Sequence, residues 1–318
     1  MEVHNQQSKT QLNATGLSCM ILQENKVVYE SYSGIHDYGH HSRPVQPDSR
    51  FNIASIRKAY IGFALAWALS KGKIKHIDQE LGGFFPDLQA VKGTSIRNLV
   101  THTHGLAEKD SRIVRTFLPG ESWSYNNTGV DLLVKLIRLT TGKTIAQILH
   151  DEVFSVTGTK ESGWIAEEGD RDVSNPMKNT QHSVTDGSQS NLYCSTRNLA
   201  WWGNLFLNEG NAQGKQILTP ALFKQMTAVQ SPEILPAGFA RQGFFWWVKE
   251  KDFPDHELGS NTPAGSYQLL GISGCICLVM PKYNAVAVRM LNQSGQSPEF
   301  DYLADVRVFG DLAAGMVE

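Results

Sequence analysis

The sequence predicts an α+β fold, in which an antiparallel sheet flanked by helices is joined to a mostly helical domain. Runs rich in β-forming residues lie towards the two ends of the chain, at 17–32 and 275–291, and helical patterns fill most of the chain between them. Strands at both ends with helices between them are typical of a sheet assembled from both termini. We therefore expect residues 1–75 and 185–318 to form the sheet domain and residues 76–184 to form the helical domain.

The first predicted elements are a hairpin and a buried helix. Leu17–Leu22 and Val27–Tyr32 are rich in β-formers and flank a polar turn, which is the pattern of two paired strands. From Ser55 to Leu69 the chain is apolar on nearly every face, as in a helix that is buried on all sides. Gly72 follows this run and is a typical residue of a helix C-terminus.

The later elements follow from capping residues and apolar spacing. Ser95 and Thr144 are preferred N-cap residues, and each precedes a run with helical spacing. Pro220 is typical of the first position of a helix. The pattern predicts further helices at 129–141, 195–207 and 299–316, and a second hairpin made of 275–280 and 285–291.

The composition excludes two classes of partner. The chain has 318 residues, of which 29 are Lys or Arg and 31 are Asp or Glu, so its formal net charge is −2. Nucleic-acid-binding proteins carry a clear basic patch, which this balance does not indicate. The longest apolar stretch, Ala59–Leu69, is shorter than the about 20 residues that a membrane span needs. We therefore expect no nucleic acid and no membrane span. The oligomeric state does not follow from the sequence.

The N-terminus and the cysteines bear on the location of the protein. Met1–Thr10 is polar and lacks the basic-then-apolar pattern of a secretory signal. The cysteines are few and form no Cys-x-x-Cys pair, so we expect reduced, buried thiols. These features predict a cytoplasmic protein, unless a signal has been removed.

Two short patterns suggest a metal or a nucleotide, and each is incomplete. His102 and His104 lack a third ligand at a suitable spacing. Thr140–Thr144 resembles the end of a phosphate-binding loop, but Ile137 stands where that loop needs a glycine. We therefore expect neither a metal nor a cofactor.

Ser55 and Lys58, at the start of the predicted buried helix, are candidate catalytic residues. Residues three apart lie on one helix face, so the lysine amine can reach the serine hydroxyl. A serine hydroxyl is a weak nucleophile until a base takes its proton, and a desolvated lysine has a lowered pKa and can be that base. The alternative is that Ser55 is only an N-cap. A second such pair, Ser70 and Lys73, lies at the other end of the helix, where the helix dipole disfavours an anion.

Two further segments have residues suited to a site. Tyr125 can relay a proton and Asn127 can orient a substrate; alternatively, the tyrosine is a core residue and the asparagine caps a helix. The glycines of Gly271–Cys275 allow a close approach to a ligand, and strand N–H groups there can form an oxyanion hole. The alternative for this segment is a β-bulge or a tight strand entry.

These segments, in this order, resemble those of the serine β-lactamase and penicillin-binding-protein superfamily. The similarity is greatest to its class C and esterase-like branch, which includes family VIII carboxylesterases and nylon-oligomer hydrolases. It extends over most of the chain and is carried by Phe51–Lys58, Ile96–Leu106, Pro119–Gly129 and Leu192–Ala200. The resemblance implies a β-lactamase/transpeptidase-like fold with no metal or organic cofactor.

The resemblance also implies the roles of the candidate residues. Ser55 would be the nucleophile that becomes acylated, Lys58 its base, and Tyr125 a proton relay in contact with Lys58. Asn127 would orient the substrate and the lysine. Together these residues would carry out acyl transfer through an acyl-serine intermediate.

The third segment would bind the substrate through Ser273, Gly274 and Cys275. The backbone N–H groups of Ser55 and Cys275 would form the oxyanion hole. The segment departs from the family at Ile272, where Lys or His is usual. Because that residue normally helps to bind a substrate carboxylate, its absence argues against β-lactams and peptidoglycan as substrates.

The aromatic segments decide the preferred substrate class. Phe244–Val248 and Tyr267 resemble the esterase and nylon-oligomer-hydrolase branches, so we expect Trp246 and Tyr267 to line the substrate site. The preferred function is a serine hydrolase acting on an ester or a small amide. Two alternatives stay open: a non-catalytic β-lactamase-like binding or sensor protein, and a D-amino-acid peptidase or β-lactam-reactive enzyme. Esterases, amidases, peptidases and lactonases differ in pocket shape rather than in these motifs.

Overall fold

The structure is a computed structural model that describes residues 1–176, 183–236, 238–250 and 257–318. Its helices lie at both ends and in the middle of the chain. They are α1 (Glu2–Gln11), α2 (Arg57–Ser70), α3 (Ile96–Val100), α4 (Thr128–Thr141), α5 (Ile145–Leu149), α6 (Ser155–Thr157), α7 (Thr196–Leu207), α8 (Pro220–Thr227) and α9 (Tyr302–Val317). A 3-10 turn, Ala54–Ile56, leads directly into α2, and a π-helical turn joins α5 to α6.

Within these ranges the strands form one large sheet, one small sheet and two separate hairpins. They are β1 (Gly16–Gln23), β2 (Lys26–Gly34), β3 (Arg50–Asn52), β4 (Leu106–Lys109), β5 (Arg112–Arg115), β6 (Ser162–Trp164), β7 (Leu192–Ser195), β8 (Asn211–Ala212), β9 (Lys215–Gln216), β10 (Trp247–Val248), β11 (Tyr267–Gly271), β12 (Cys275–Met280) and β13 (Ala285–Leu291). β4 pairs with β5 and β8 with β9 in the two hairpins.

The large sheet is antiparallel, with the order β10-β11-β12-β13-β1-β2. β1 pairs with β13, so that Leu17 stands opposite Leu291 and the two ends of the chain meet in the sheet. Both central strands are buried almost throughout. Alternate side chains of β1 divide between two cores: Met20 faces the core that contains α2, and Ile21 faces the one that contains Phe309 of α9. The predicted α+β fold is thereby confirmed, with a sheet built from both ends of the chain.

Helix α2 runs through the main core. All of its residues from Arg57 to Ala68 are buried, as their largely apolar composition predicts. Gly62 allows the helix to lie against a neighbouring segment, because a Cβ there would be 3.1 Å from the carbonyl oxygen of Phe244. Packing on all sides fixes the position of α2, and therefore of the turn before it, which carries Ser55.

The central part of the chain is less purely helical than predicted. Between residues 76 and 184 it contains α3 to α6, but also the β4–β5 hairpin and β6. β6 pairs with β7, which pairs with β3, so a small sheet links this part to the N-terminal part. Leu133 of α4 and Phe63 of α2 share one core. The division into two domains remains a prediction.

Several elements escaped the sequence analysis, and α1 and β11 are two of them. α1 is polar and has no apolar stripe, but His4 and Ser8 attach it to Asp305 of α9 through hydrogen bonds to the Asp305 carbonyl and carboxylate. β11 is short and buried on both faces, so it lacks the alternation by which a strand is recognised. Both elements flank the region where the chain ends meet.

Two expectations from composition can be compared with the structure. Cys19, Cys194, Cys275 and Cys277 are free thiols, and all four are buried, as predicted. Across the parts of the chain that the structure describes, no helix is both long enough and apolar enough to cross a bilayer.

Candidate active site

A cavity of about 900 Å³ opens between the N-terminus of α2, the segment before α4 and the end of β11. It contains Ser55 and Lys58 from the start of α2, together with Tyr125 and Asn127 from the distant segment before α4. The other described residues of its wall are Asn52, Ala54, Asn175, Ser190, Trp247, Leu270, Ile272, Ser273, Gln293, Gln296, Phe300 and Tyr302.

Ser55 is presented to this cavity by a strained turn. The preceding residue, Ala54, has a φ of 47°, a left-handed conformation that is unfavourable for residues with a side chain. Asn52 holds the turn: its Oδ1 accepts a hydrogen bond of 2.8 Å from the Ala54 N–H, and its Nδ2 donates one of 2.9 Å to the Ser190 carbonyl. The turn places Ser55 two residues before the first residue of α2, close to the helix N-terminus, where the helix dipole favours negative charge.

Lys58 links the serine to the tyrosine. Its Nζ lies 2.9 Å from Ser55 Oγ and 3.0 Å from the Tyr125 hydroxyl. The amine is buried one helical turn after Ser55, as the three-residue spacing predicts. The arrangement forms a continuous path for a proton between the serine, the amine and the phenol.

The surroundings favour Lys58 as the base of this path. Burial, reinforced by the nearby Arg57 charge and opposed by Asp131, lowers the pKa of Lys58 to about 7. Burial raises the pKa of Tyr125, although part of its ring faces the cavity. At neutral pH a large fraction of the amine is therefore unprotonated while the phenol keeps its proton. Lys58 can accept the Ser55 proton, and Tyr125 can pass a proton on.

Aromatic contacts hold Tyr125 in place. The His102 ring centroid lies 4.6 Å from that of Tyr125, and the Trp247 ring is nearly parallel to it at 6.5 Å. His102 is buried, and neither ring nitrogen has a hydrogen-bond partner among the described residues. Burial, the Lys58 charge and His104 all keep the pKa of His102 well below its usual value, so the ring is neutral and serves as packing for Tyr125.

Asn127 is available to a ligand. It occupies the N-cap position of α4, but its side chain makes no capping hydrogen bond. Asn126 makes the local turn instead, because its Oδ1 accepts a hydrogen bond of 3.0 Å from the Thr128 N–H. Within the described residues the Asn127 amide therefore lines the cavity without a capping hydrogen bond, which leaves it accessible to a ligand.

The third segment differs from its predicted arrangement. Residues 272–274 form the turn between β11 and β12, and Gly274 has a φ of 88°. Ser273 reaches the cavity, and its Oγ donates a hydrogen bond of 3.1 Å to the Asn52 carbonyl. Gly274 and Cys275 do not line the cavity: Cys275 is buried and pairs with Gly271 inside the sheet. The predicted contribution of Cys275 to an oxyanion hole is therefore not supported.

The end of β11 that extends beyond its pairing with β10 provides other N–H groups. The Ser266 carbonyl accepts a hydrogen bond from the Lys249 N–H on the β10 side of the strand. The N–H and C=O groups of successive residues point to alternate sides of a strand. Those of Leu270, four residues after Ser266, therefore point to the β10 side, beyond the point where β10 ends. Leu270 and Ile272 both line the cavity. This 270–272 segment is therefore the candidate for the second oxyanion-hole N–H, in place of Cys275.

Two predicted aromatic residues lie elsewhere. Trp246 is fully buried, and its ring packs edge-on against Tyr267 at 5.0 Å, away from the cavity. The adjacent Trp247 lines the cavity instead, because neighbouring residues of a strand point to opposite faces. Sequence reasoning also missed the polar residues Asn175, Gln293 and Gln296, which lie in loops without a local signal.

The charge of the cavity wall is low. Among its described residues Lys58 is the one basic side chain, and none is acidic. Ile272, at the position expected to be Lys or His in the family, is 63% exposed. The described wall therefore has no cation beyond Lys58 to bind a substrate carboxylate.

The fold and this site define a β-lactamase/transpeptidase-like protein, with a serine and a lysine at the start of a buried helix beside an antiparallel sheet. The chain belongs to the Beta-lactamase family, which it matches over residues 5–310. It is 39% identical over 306 residues to an uncharacterized protein of Alkalihalophilus pseudofirmus, covering 94% of this chain and 90% of that one.

Solved structures share the fold at low sequence identity. A penicillin-binding protein homolog from Caulobacter crescentus has a TM-score of 0.77 at 18% identity, covering 100% of this chain and 96% of the other. EstCE1, described as a hydrolase with promiscuous acyltransferase activity, has a TM-score of 0.74 at 16% identity, covering 98% and 97%. These similarities show the fold, and the family match over residues 5–310 confirms the resemblance drawn from the motifs.

Proposed function

We propose that this protein is a serine hydrolase that cleaves a neutral ester or small amide through an acyl-Ser55 intermediate. The observation that carries the proposal is the contact of one buried amine, Lys58, with both Ser55 Oγ and the Tyr125 hydroxyl. A lone N-cap serine does not need a buried lysine beside it. The esterase and hydrolase names among relatives of the family agree with this reaction class.

In the first step, neutral Lys58 takes the Ser55 proton as Ser55 Oγ attacks the substrate carbonyl carbon. The N–H groups of Ser55 and of the 270–272 segment stabilise the oxyanion. The bond to the leaving group then breaks, and the proton passes through Tyr125 to the departing oxygen or nitrogen. In the second step a water attacks the acyl carbon and gives one proton to Lys58, which returns it to Ser55 Oγ as the acid leaves.

The wall of the cavity supports a neutral substrate. Carboxylate binding in proteins relies on a paired cation, usually Arg or Lys, and the described wall offers none beyond Lys58. The wall combines amide side chains with aromatic rings, which suits an uncharged acyl group with polar substituents. Exposed Ile272 adds an apolar surface where a cation would otherwise meet a carboxylate.

The chain offers a matched control for testing the nucleophile. Ser55→Ala should abolish hydrolysis of p-nitrophenyl acetate and butyrate, and the wild-type protein should show an acyl adduct by intact mass that the variant lacks. Ser70→Ala alters the second Ser-x-x-Lys pair at the far end of α2, where Ser70 Oγ only donates to the Trp67 carbonyl, and should leave the rate unchanged.

The same assay separates the alternatives. Turnover of nitrocefin or of a D-alanyl-D-alanine peptide at rates above those of the esters would overturn the neutral-substrate proposal. Equal ester hydrolysis by wild type and Ser55→Ala would exclude Ser55 as the nucleophile. Absence of both turnover and adduct with every probe would favour a binding protein with an inactive pocket.

A further inference from the structure

A second cavity, of about 410 Å³, lies on the outer side of α7. The turn after α6, the β1–β2 turn and β8 complete its wall, and none of its residues lines the Ser55 cavity. Asn25 of this wall lies by the Ala285 end of β13, whereas Gln293 of the Ser55 cavity follows the Leu291 end. These two residues therefore lie at opposite ends of β13.

The wall of this second cavity carries no charge. Its described residues include no Asp, Glu, Lys, Arg or His. They do include six amides, each of which has donors and an acceptor: Asn25, Asn198, Asn204, Asn208, Asn211 and Gln213. An uncharged wall with this density of hydrogen-bonding groups suits a neutral ligand that has many hydroxyl groups.

Three of the amides form an ordered network. Asn25 Oδ1 accepts hydrogen bonds from Asn204 Nδ2 at 2.8 Å and from Asn208 Nδ2 at 3.0 Å. Asn204 is only 5% exposed, and its Oδ1 has no hydrogen-bond partner within the described residues. A buried polar atom without a partner destabilises the folded state. This oxygen belongs to a residue of the cavity wall, so it is a candidate partner for a donor that reaches into the network.

An aromatic ring completes the cavity. Trp201, on the same face of α7 as Asn204 and Asn208, is 38% exposed and lines the cavity beside the apolar Leu205. A sugar ring presents a face of C–H groups that can pack on an indole, and a rim of hydroxyls that can donate to and accept from amides. The volume of the cavity falls in the range of about 300–1,000 Å³ that is typical of small-molecule sites.

We propose that this cavity is a second binding site, separate from the Ser55 cavity, for a neutral mono- or disaccharide. The sugar ring stacks on Trp201, and its hydroxyls pair with the amides around Asn25 and Asn208. The site does not depend on the proposed hydrolase activity, because it shares no residue with the Ser55 cavity.

Saturation-transfer NMR with D-glucose, maltose and cellobiose, each titrated to about 20 mM, tests the proposal. At least one sugar should bind with a Kd of about 1 mM, which is a weak affinity. Trp201→Ala and Asn208→Leu should each weaken that binding at least tenfold while Tm and p-nitrophenyl butyrate hydrolysis stay close to wild type. Trp247→Ala, in the Ser55 cavity, should leave sugar binding unchanged.

Three outcomes would overturn the proposal. They are the absence of binding by all three sugars, binding that survives both Trp201→Ala and Asn208→Leu, and binding that is lost in Trp247→Ala alone. The last would place the sugar in the Ser55 cavity. Because two variants probe the site independently, failure of one of them to fold leaves the other as the test.

Discussion

The backbone of Ile53 occupies the space in which a side chain at residue 271 would begin. A Cβ added to Gly271 would lie 2.7 Å from the Ile53 carbonyl oxygen, closer than such atoms approach. The contact seats the turn that carries Ser55 directly against the end of β11. The sheet therefore helps to position the serine, together with helix α2.

Gly271→Ala should consequently cause a large loss of kcat and only a small fall in the melting temperature. The added methyl must displace the 53–55 turn, and a shift of about 1 Å at a reacting group costs about 100-fold in rate. Gly163→Ala is the matched control, because a Cβ there meets nothing within 4 Å. Steady-state kinetics with p-nitrophenyl butyrate and thermal unfolding of both variants test this. An unchanged kcat in Gly271→Ala would contradict the positioning role of this contact.

The activity should rise with pH through the pKa of Lys58, which burial and Arg57 lower to about 7. The base must be unprotonated, so kcat/KM should increase to a plateau above about pH 8. Asp131 opposes the lowering of this pKa. Asp131→Asn should therefore shift the profile to lower pH, and Arg57→Met should shift it to higher pH. Shifts in the same direction in the two variants would contradict the assignment of this limb to Lys58.

Lys58→Ala should lower kcat/KM at least 100-fold, because it removes the general base. The Tm should fall little or rise, since a buried amine is costly to desolvate. The corresponding control is Lys73→Ala, in the second Ser-x-x-Lys pair at the other end of α2, which should retain the wild-type rate. A near-normal rate in Lys58→Ala would require another base.

Tyr125→Phe should discriminate between leaving groups. A p-nitrophenolate leaves without a proton, whereas an amine must be protonated as it departs, so loss of the Tyr125 hydroxyl should affect amides more than activated esters. We expect a loss of about tenfold on p-nitrophenyl butyrate and about 100-fold or more on the matching anilide. Tyr38→Phe, at an exposed tyrosine, is the control. Equal losses on both substrates would indicate a positioning role only.

Asp305 should account for much of the acid sensitivity of the fold. Burial alone would raise its pKa, but hydrogen bonds and charge from His4 and Arg289 hold the pKa well below its usual value. A carboxylate with a lowered pKa in the folded state stabilises the protein above about pH 4, and this contribution is lost as the pH falls.

Asp305→Asn should therefore destabilise the protein by about 3–5 kcal/mol at pH 7, as expected when one partner of a buried ion pair is removed. The difference from wild type should shrink as the pH falls from 5 to 2. Asp78→Asn breaks an exposed pair with Arg97 and should cost less than about 1 kcal/mol. Urea unfolding at several pH values measures both. A constant difference for Asp305→Asn across this range would refute the linkage.

The two adjacent tryptophans should give opposite results. Trp247 lines the Ser55 cavity, whereas Trp246 is enclosed by core residues. Trp247→Ala should change the ratio of rates on acetate and on bulky esters, with a small change in Tm. Trp246→Phe should lower Tm, because it leaves a void in the core, and should leave that ratio unchanged. The reverse pattern would indicate that Trp246, and not Trp247, lines the pocket.

The sequence predicted the parts of the site that depend on local geometry. Ser55 and Lys58 meet because three residues make nearly one helical turn, and that spacing is visible in the sequence. The position of Cys275 could not be predicted from the sequence, because the three-residue turn before β12 sets the strand register and directs that residue into the sheet. The wall residues Gln293 and Gln296 lie in a loop placed by pairing between distant strands, for which no local pattern exists.

Pairing of β1 with β13 also sets the order in which the protein can be completed during synthesis. Leu17 and Leu291 are partners, so β1 cannot pair with β13 until nearly the whole chain has been synthesised. Contacts between such distant residues slow folding, and β11, which supports the Ser55 turn, is itself among the last strands to emerge. A nascent chain that ends before β11 lacks the wall against which its nucleophile is set, so it should show no hydrolytic activity until translation is almost finished.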